Sequence, residues 1–307
     1  MPAERRPSRG KPDRSGGESR TGGRGGSAGR TSGGGRDDRR SSGGPSRGGR
    51  SESSGAGGRD RRDRADAPRD RTAEQARYDG PPLPEDITGA ELDRNVVAQL
   101  KGLPEKLASR VARHLAAAGM LVDEDPQTAY QHTLAARARA ARVAVVREAC
   151  GEAAYAAGEF AEALSELRAA KRMNGVTEYL PMMADCERAL GRPDKALELA
   201  KSPSVARFRP DLKAEMTIVE AGARRDRGEL DAALRTLEMA PLTSNTREDW
   251  VVRLRYAYAD MLEAAGRGQE ALEWFHRTEA IDNDQVTDAA DRAETLERSL
   301  DAGSTEG

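Results

Sequence analysis

Beyond position 81, apolar residues recur at the three- and four-residue spacing that places them on one face of a helix. In "FAEALSELRAAKRM", Ala163, Leu164, Leu167 and Ala170 form such a stripe, and "ARVAVVREACGEAAYAA" just before it carries another. Gly158 stands between the two. The arrangement returns in "GRPDKAL", "GELDAAL" and "GRGQEAL", so that glycine, four residues, alanine and leucine occur around Gly158, Gly191, Gly228 and Gly266, at intervals of 33, 37 and 38 residues.

This spacing predicts helical hairpins. A glycine with positive φ ends the first helix at no steric cost, and the second helix begins within a few residues. Pro193 suits a first helical turn, where a missing N–H leaves no bond unmade. The alanine after each glycine faces back onto the first helix, and its small side chain lets the axes approach to about 8–10 Å. The following leucine fills the groove between them. One such hairpin cannot bury its own apolar face, so repetition predicts an all-α stack of about five pairs.

The unit resembles the tetratricopeptide (TPR) repeat, a helix–turn–helix of about 34 residues. Gly151, Tyr155, Ala163, Leu167 and Ala170 carry the likeness in one unit, and Tyr258, Ala259, Leu262, Ala271 and Phe275 in the last. Leu180, Met183, Ala184 and Ala196 serve the unit around Gly191; Ala221, Ala233 and Leu237 serve the one around Gly228. In that unit Glu220 and Arg224 fall where apolar residues belong, which predicts a first helix displaced by a residue or more. "PLPEDITGAELDR", "ARHLAAAGMLVDEDP" and "RVAVVREACGEAAYAAGEF" resemble a TPR-protein family of high-GC, actinobacterial-type bacteria, a likeness that implies a fold and no activity.

The resemblance implies a right-handed solenoid over residues 104–284, divided as 104–140 (degenerate), 144–175, 177–208, 211–243 and 248–284. A lead-in segment, 81–103, contains a capping box of Thr88 and Glu91 that predicts a helix start. A capping helix is predicted over 285–300, followed by a short disordered tail, 301–307. The resemblance further implies a concave groove lined by the first helix of each pair. It would present Glu148, Glu152 and Tyr155, then Asp185 and Arg188, then Arg253, Tyr256, Asp260 and Glu263. The lysines and asparagines with which some TPR proteins grip a terminal carboxylate are missing at the matching places. A basic or aromatic-anchored peptide is the expected partner.

Composition changes the picture at the N-terminus. Residues 1–80 hold no Leu, Ile, Val or Phe and 19 of the 32 glycines. Such a segment cannot offset the roughly 1–2 kcal/mol of backbone entropy per ordered residue, which predicts a disordered Arg/Gly/Ser-rich arm. The arm carries 20 Lys+Arg against 12 Asp+Glu, while the rest of the chain carries 30 against 40. That split suggests the arm could lie along an acidic groove. Its Arg-Gly-Gly triplets at Arg24 and Arg47, with Arg50, Arg61 and Arg62, are the candidates for nucleic-acid contact.

Candidate chemistry adds little. His114, His132 and His276 lie in different helical stretches with no ligand-spaced partner, so exposed helix histidines and no metal are expected. Cys150 and Cys186 fall at or beside core positions, which predicts buried thiols and not nucleophiles. No nucleophile elbow, zinc-protease or phosphate-loop motif is present. Arg137, Arg139, Arg142 and Arg147 suggest a basic patch. The chain has no apolar leader and no apolar run near the ~20 residues of a membrane span. The expectation is a cytoplasmic, non-catalytic protein-interaction scaffold without cofactor; the alternative is an RNA- or ribosome-associated factor that uses the arm.

Overall fold

The computed structural model describes residues 79–305; the expectations for the arm and its arginines lie outside them. The described residues contain no strand and twelve α-helices. A lead-in helix, α1 (Arg94–Leu100), precedes five helix pairs: α2 (Glu105–Leu121) with α3 (Pro126–Ala140), α4 (Ala144–Ala156) with α5 (Phe160–Asn174), α6 (Leu180–Ala189) with α7 (Pro193–Ala200), α8 (Pro210–Asp226) with α9 (Leu230–Glu238), and α10 (Asp249–Ala264) with α11 (Gly268–Glu279). A last helix, α12 (Ala289–Thr305), follows.

The repeated glycines do what their spacing requires. Gly158, Gly191, Gly228 and Gly266 have φ from +71° to +78°. After each, the next residue donates its N–H to the carbonyl five back: Glu159 to Ala154, Arg192 to Glu187, Glu229 to Arg224 and Arg267 to Leu262, at 2.8–2.9 Å. This is the Schellman closure, which satisfies carbonyls left open at a helix end. The alanines that follow, Ala163, Ala196, Ala233 and Ala271, are all buried. Of the leucines, Leu164, Leu197 and Leu234 are buried and Leu272 is half-buried.

Helices pack on their neighbours in sequence, and the first helices of successive units also touch, α6 on α8 and α8 on α10. The core runs along the chain. Val146 of α4 joins Val111 and Leu115 below it, whereas Cys150, one turn on, joins Leu164, Leu167 and Leu180. Ala223 of α8 belongs to that middle cluster, and Ala221 to the last, with Leu237, Leu254, Leu262 and Phe275. Gly151 sits where a Cβ would lie 2.7 Å from the Leu167 side chain, so a small residue there is a condition of α4–α5 contact.

Three expectations are corrected. Thr88 and Glu91 form their capping box, with the Thr88 N–H donating to Glu91 Oε1 at 3.0 Å and the Ala90 N–H to Thr88 Oγ1 at 3.2 Å. The backbone amides, Thr88 first, hold the Glu91 carboxyl down to about 2. The box closes a turn, however, and α1 starts only where Asp93 caps the Asn95 N–H at 2.7 Å. The closing helix begins later than 285, because Asp282 holds the Val286 and Thr287 amides in a preceding turn, and it runs on through Thr305 into the stretch expected to be a disordered tail. Finally, α8 is not displaced. Its Glu220 and Arg224 keep the register and pair with each other at 2.6 Å, and Arg224 also donates to the Thr236 hydroxyl at 2.6 Å.

Candidate functional site

The residues expected to line a groove meet in a regular way. Tyr155, three residues before Gly158, donates its hydroxyl to Oδ2 of Asp185, six residues before Gly191, at 2.6 Å. Arg225 holds the first of these positions before Gly228, and donates from Nη1 to Oδ2 of Asp260, which holds the second before Gly266, at 2.7 Å. Arg188 follows the rule with one change. Its counterpart is Gly222, and the guanidinium passes over that residue to reach Oδ2 of Asp226 from Nε at 2.8 Å. Arg188 Nη1 also donates to Asp185 Oδ1 at 2.8 Å, which joins this pair to the previous one.

The seam ends on α12. Arg292 donates to the Tyr256 hydroxyl at 3.0 Å, to Asp260 Oδ1 at 3.1 Å and to Glu263 Oε2 at 2.6 Å. The same guanidinium stacks 4.9 Å from the Phe275 ring centroid, a favourable placement for a cation. Around this line, Glu148 accepts from the Tyr179 hydroxyl at 2.8 Å, and Arg253 pairs with Glu215 at 2.7 Å. Glu152 is exposed on α4, one turn before Tyr155. Burial pushes up the Tyr155 hydroxyl, with Asp185 adding to the effect, and the Tyr256 hydroxyl to about 12. Burial also raises the Glu215 carboxyl, against the pull of Arg253.

The sequence thus names residues that one surface brings together, and four of the carboxylates on that surface are already matched by cations within the chain, while Glu148 meets only the neutral Tyr179 hydroxyl. Asp185, Asp226, Asp260 and Glu263 each hold an arginine. On α6, α8 and α10 a basic segment would meet carboxylates that already hold arginines. The basic patch is corrected on the same ground. Arg137 and Arg147 both pair with buried Glu166, Arg139 is buried against the Ala135 carbonyl, and Arg142 is the exposed member.

Sequence reasoning missed several buried polar groups. Glu187, with no exposed surface, lies between Arg168 at 2.5 Å and Arg192 at 3.4 Å. His114 and His132 are not exposed helix histidines. Both are buried, and their Nδ1 atoms share a hydrogen bond at 3.0 Å. Burial, then His132 and the nearby arginines, lowers His114 to about 4; burial lowers His132 as well. His276 is exposed, with Glu297 at 3.0 Å. Cys150 and Cys186 are buried and free, and burial pushes their thiols up to about 11 and about 12.

Among the described residues, no three of His, Cys, Asp and Glu converge as metal ligands would, and no helix is long and apolar enough to cross a membrane. Fold and site together define an all-helical protein of paired helices whose first members are tied by a polar seam. No family model matches the chain, and no curated protein matches it.

Proposed function

We propose that the helix pairs of residues 104–284 stack as a right-handed TPR-type solenoid, and that the protein is a non-catalytic scaffold holding a partner segment against the first helices. The observation that carries this reading is the recurrence of one register in the seam, which joins Tyr155 to Asp185 and again Arg225 to Asp260. A register repeated from unit to unit keeps equivalent helix faces together, which is what a long docking surface needs.

The ion pairs refine the partner. A basic segment would have to displace arginines already seated on Asp185, Asp226, Asp260 and Glu263, and exchanging one exposed pair for another gains about 0–1 kcal/mol. A segment anchored by an aromatic side chain does not compete with them. Glu152 and Arg253, exposed, and half-buried Tyr256 are the seam residues placed to meet it. The two buried free thiols suit a reducing, cytoplasmic setting. The alternative, RNA or ribosome association through the arm, rests on the arginine excess of residues 1–80.

Affinity capture from cell lysate with the full chain, with and without nuclease and at low and high salt, separates the two. Salt-tolerant, nuclease-resistant recovery of a protein, abolished by Glu152→Arg with Arg253→Glu, supports the scaffold. Recovery that falls steeply with salt and vanishes with nuclease overturns it in favour of RNA.

A further inference from the structure

The N-terminal end of the described chain holds a cavity that the seam does not use. Residues 79–83 cross α2, and between them and the helix lies a cavity of about 990 Å³. Lys106, Ser109, Arg110 and Arg113 line its helix side. Their spacing is that of one helical face, so three cations and a hydroxyl look into the same space. Arg113 fastens the crossing segment, donating to the Ile87 carbonyl at 2.6 Å and the Pro84 carbonyl at 2.8 Å. Two carboxylates, Asp79 and Glu105, also line the cavity. Asp79 is faced by Arg110 and by buried Arg139, both at 3.6 Å.

His114 completes the lining, although its ring exposes no surface. Its Nδ1 shares the hydrogen bond with His132, so one ring donates and the other accepts. Its Nε2 is buried with no hydrogen-bond partner. A buried polar atom left in that state is uncommon and costly. A water molecule could satisfy Nε2, but it would leave Lys106, the one cation of this wall that is not engaged with the crossing segment, without a counter-charge.

We propose that this cavity binds an oxyanion, the phosphate or carboxylate group of a small molecule, with one oxygen on His114 Nε2 and its charge met by Lys106 and Arg110. Ser109 adds a neutral donor. In this arrangement His132 donates to His114 Nδ1, which leaves the His114 proton on Nε2, facing the ligand. The buried histidine pair then fixes a tautomer, and the neutral imidazole donates without having to ionise. The site belongs to α2 and the segment before it, apart from the seam, which begins on α4. It therefore stands or falls independently of the scaffold reading.

The chain has three histidines, so His276→Gln leaves His114 and His132 to be followed by NMR of their ring carbons. The full-length protein is titrated near neutral pH with sodium phosphate, with sodium acetate, and with sodium chloride as the ionic-strength control. The expected result is a saturable shift of the His114 signal with phosphate or acetate and none with chloride. Lys106→Ala and Arg110→Gln should each weaken binding roughly tenfold, the scale of one charge-assisted hydrogen bond, with unchanged helical circular dichroism. Saturation by phosphate alone assigns phosphate esters as the ligand class, and saturation by acetate alone assigns carboxylates. A His114 signal that follows chloride as it follows the other two salts would overturn the proposal. So would an affinity that neither variant changes.

Discussion

The guanidinium of Arg188 occupies the place where a side chain at Gly222 would begin: a Cβ there would lie 2.6 Å from Arg188 Nη1 and 2.7 Å from Nη2. The missing side chain is what lets Arg188, on one first helix, reach Asp226 on the next.

Gly222→Ala therefore sets two effects against each other. Alanine favours the helix by about 1 kcal/mol over glycine. Displacing the flexible end of Arg188 costs a half-exposed ion pair, about 0.2–1 kcal/mol. Urea unfolding should show a net change below about 1 kcal/mol, and the cost of Asp226→Ala should disappear in the Gly222→Ala background. Gly151→Ala has no such release, because its Cβ would press 2.7 Å from Leu167, a residue with no exposed surface. It should destabilise by about 1–3 kcal/mol despite the better helix former. Equal effects of the two alanines would refute the distinction.

The glutamate between two arginines gives an asymmetric prediction. Arg168 sits 2.5 Å from Glu187 and Arg192 sits 3.4 Å away, with their side chains 45% and 47% exposed. Exposure alone would make their loss equal. Since the buried carboxylate keeps only the longer contact when Arg168 is removed, Arg168→Ala should cost about 2 kcal/mol, below the 3–5 kcal/mol of a fully buried pair. Arg192→Ala should cost less than half of that in thermal or urea unfolding.

Acid should weaken the fold through the histidine pair. His114 is lowered to about 4 and His132 in the same direction, burial being the first cause of each. Both are neutral in both states above the unfolded value of about 6.5, so stability there does not depend on them. Below it the unfolded chain takes up protons that the native pair refuses. Stability should fall from about pH 6.5 towards pH 4, by about 3 kcal/mol for His114 alone. The curves are best recorded without phosphate, and a flat profile between those limits would sink the assignment.

Both thiols should resist modification in the native protein. Cys150 and Cys186 have no exposed surface, and burial raises them to about 11 and about 12, which leaves almost no thiolate at neutral pH. Labelling by a disulfide reagent should proceed only through unfolding, and should speed up in urea in step with the loss of helix. Rapid labelling in buffer would contradict the packing described for α4 and α6.

Much of this fold could be read from residue spacing because the information is local. A turn glycine and the alanine that follows it act within one hairpin, and Gly158 with Ala163 needs no distant partner to be understood. The histidine pair was legible too, in hindsight. His114 lies in the stripe of Val111, Leu115 and Ala118, and His132 in that of Ala129 and Ala136, all buried. Two histidines in apolar stripes of consecutive helices point at each other, and reading them as exposed ignored the stripes. The start of the lead-in helix was misplaced for a different reason. Thr88 and Glu91 carry the right chemistry for a cap, but Asp93 offers another cap closer to the apolar run.

The pairings along the seam could not be read in the same way. They join residues 29 to 38 positions apart, and the offset changes with each loop. A face can be inferred from helical periodicity, but the partner across it depends on how far each unit slides on the one before. Glu220 and Arg224 show the reverse error. Two charges in apolar positions suggested a slipped helix, whereas an ion pair and the Thr236 hydroxyl satisfy them in place.

Arg292 has a consequence for how molecules behave in number. Repeating units whose rungs accept one another carry the means of endless growth, since the last rung of one molecule could receive the first helix of the next. Such head-to-tail contacts produce filaments wherever the rotation from one copy to the next does not close into a ring. With Arg292 seated on Tyr256, Asp260 and Glu263, the final rung is filled by its own chain. Beyond it, α12 turns exposed Asp291, Glu294 and Arg298 outward.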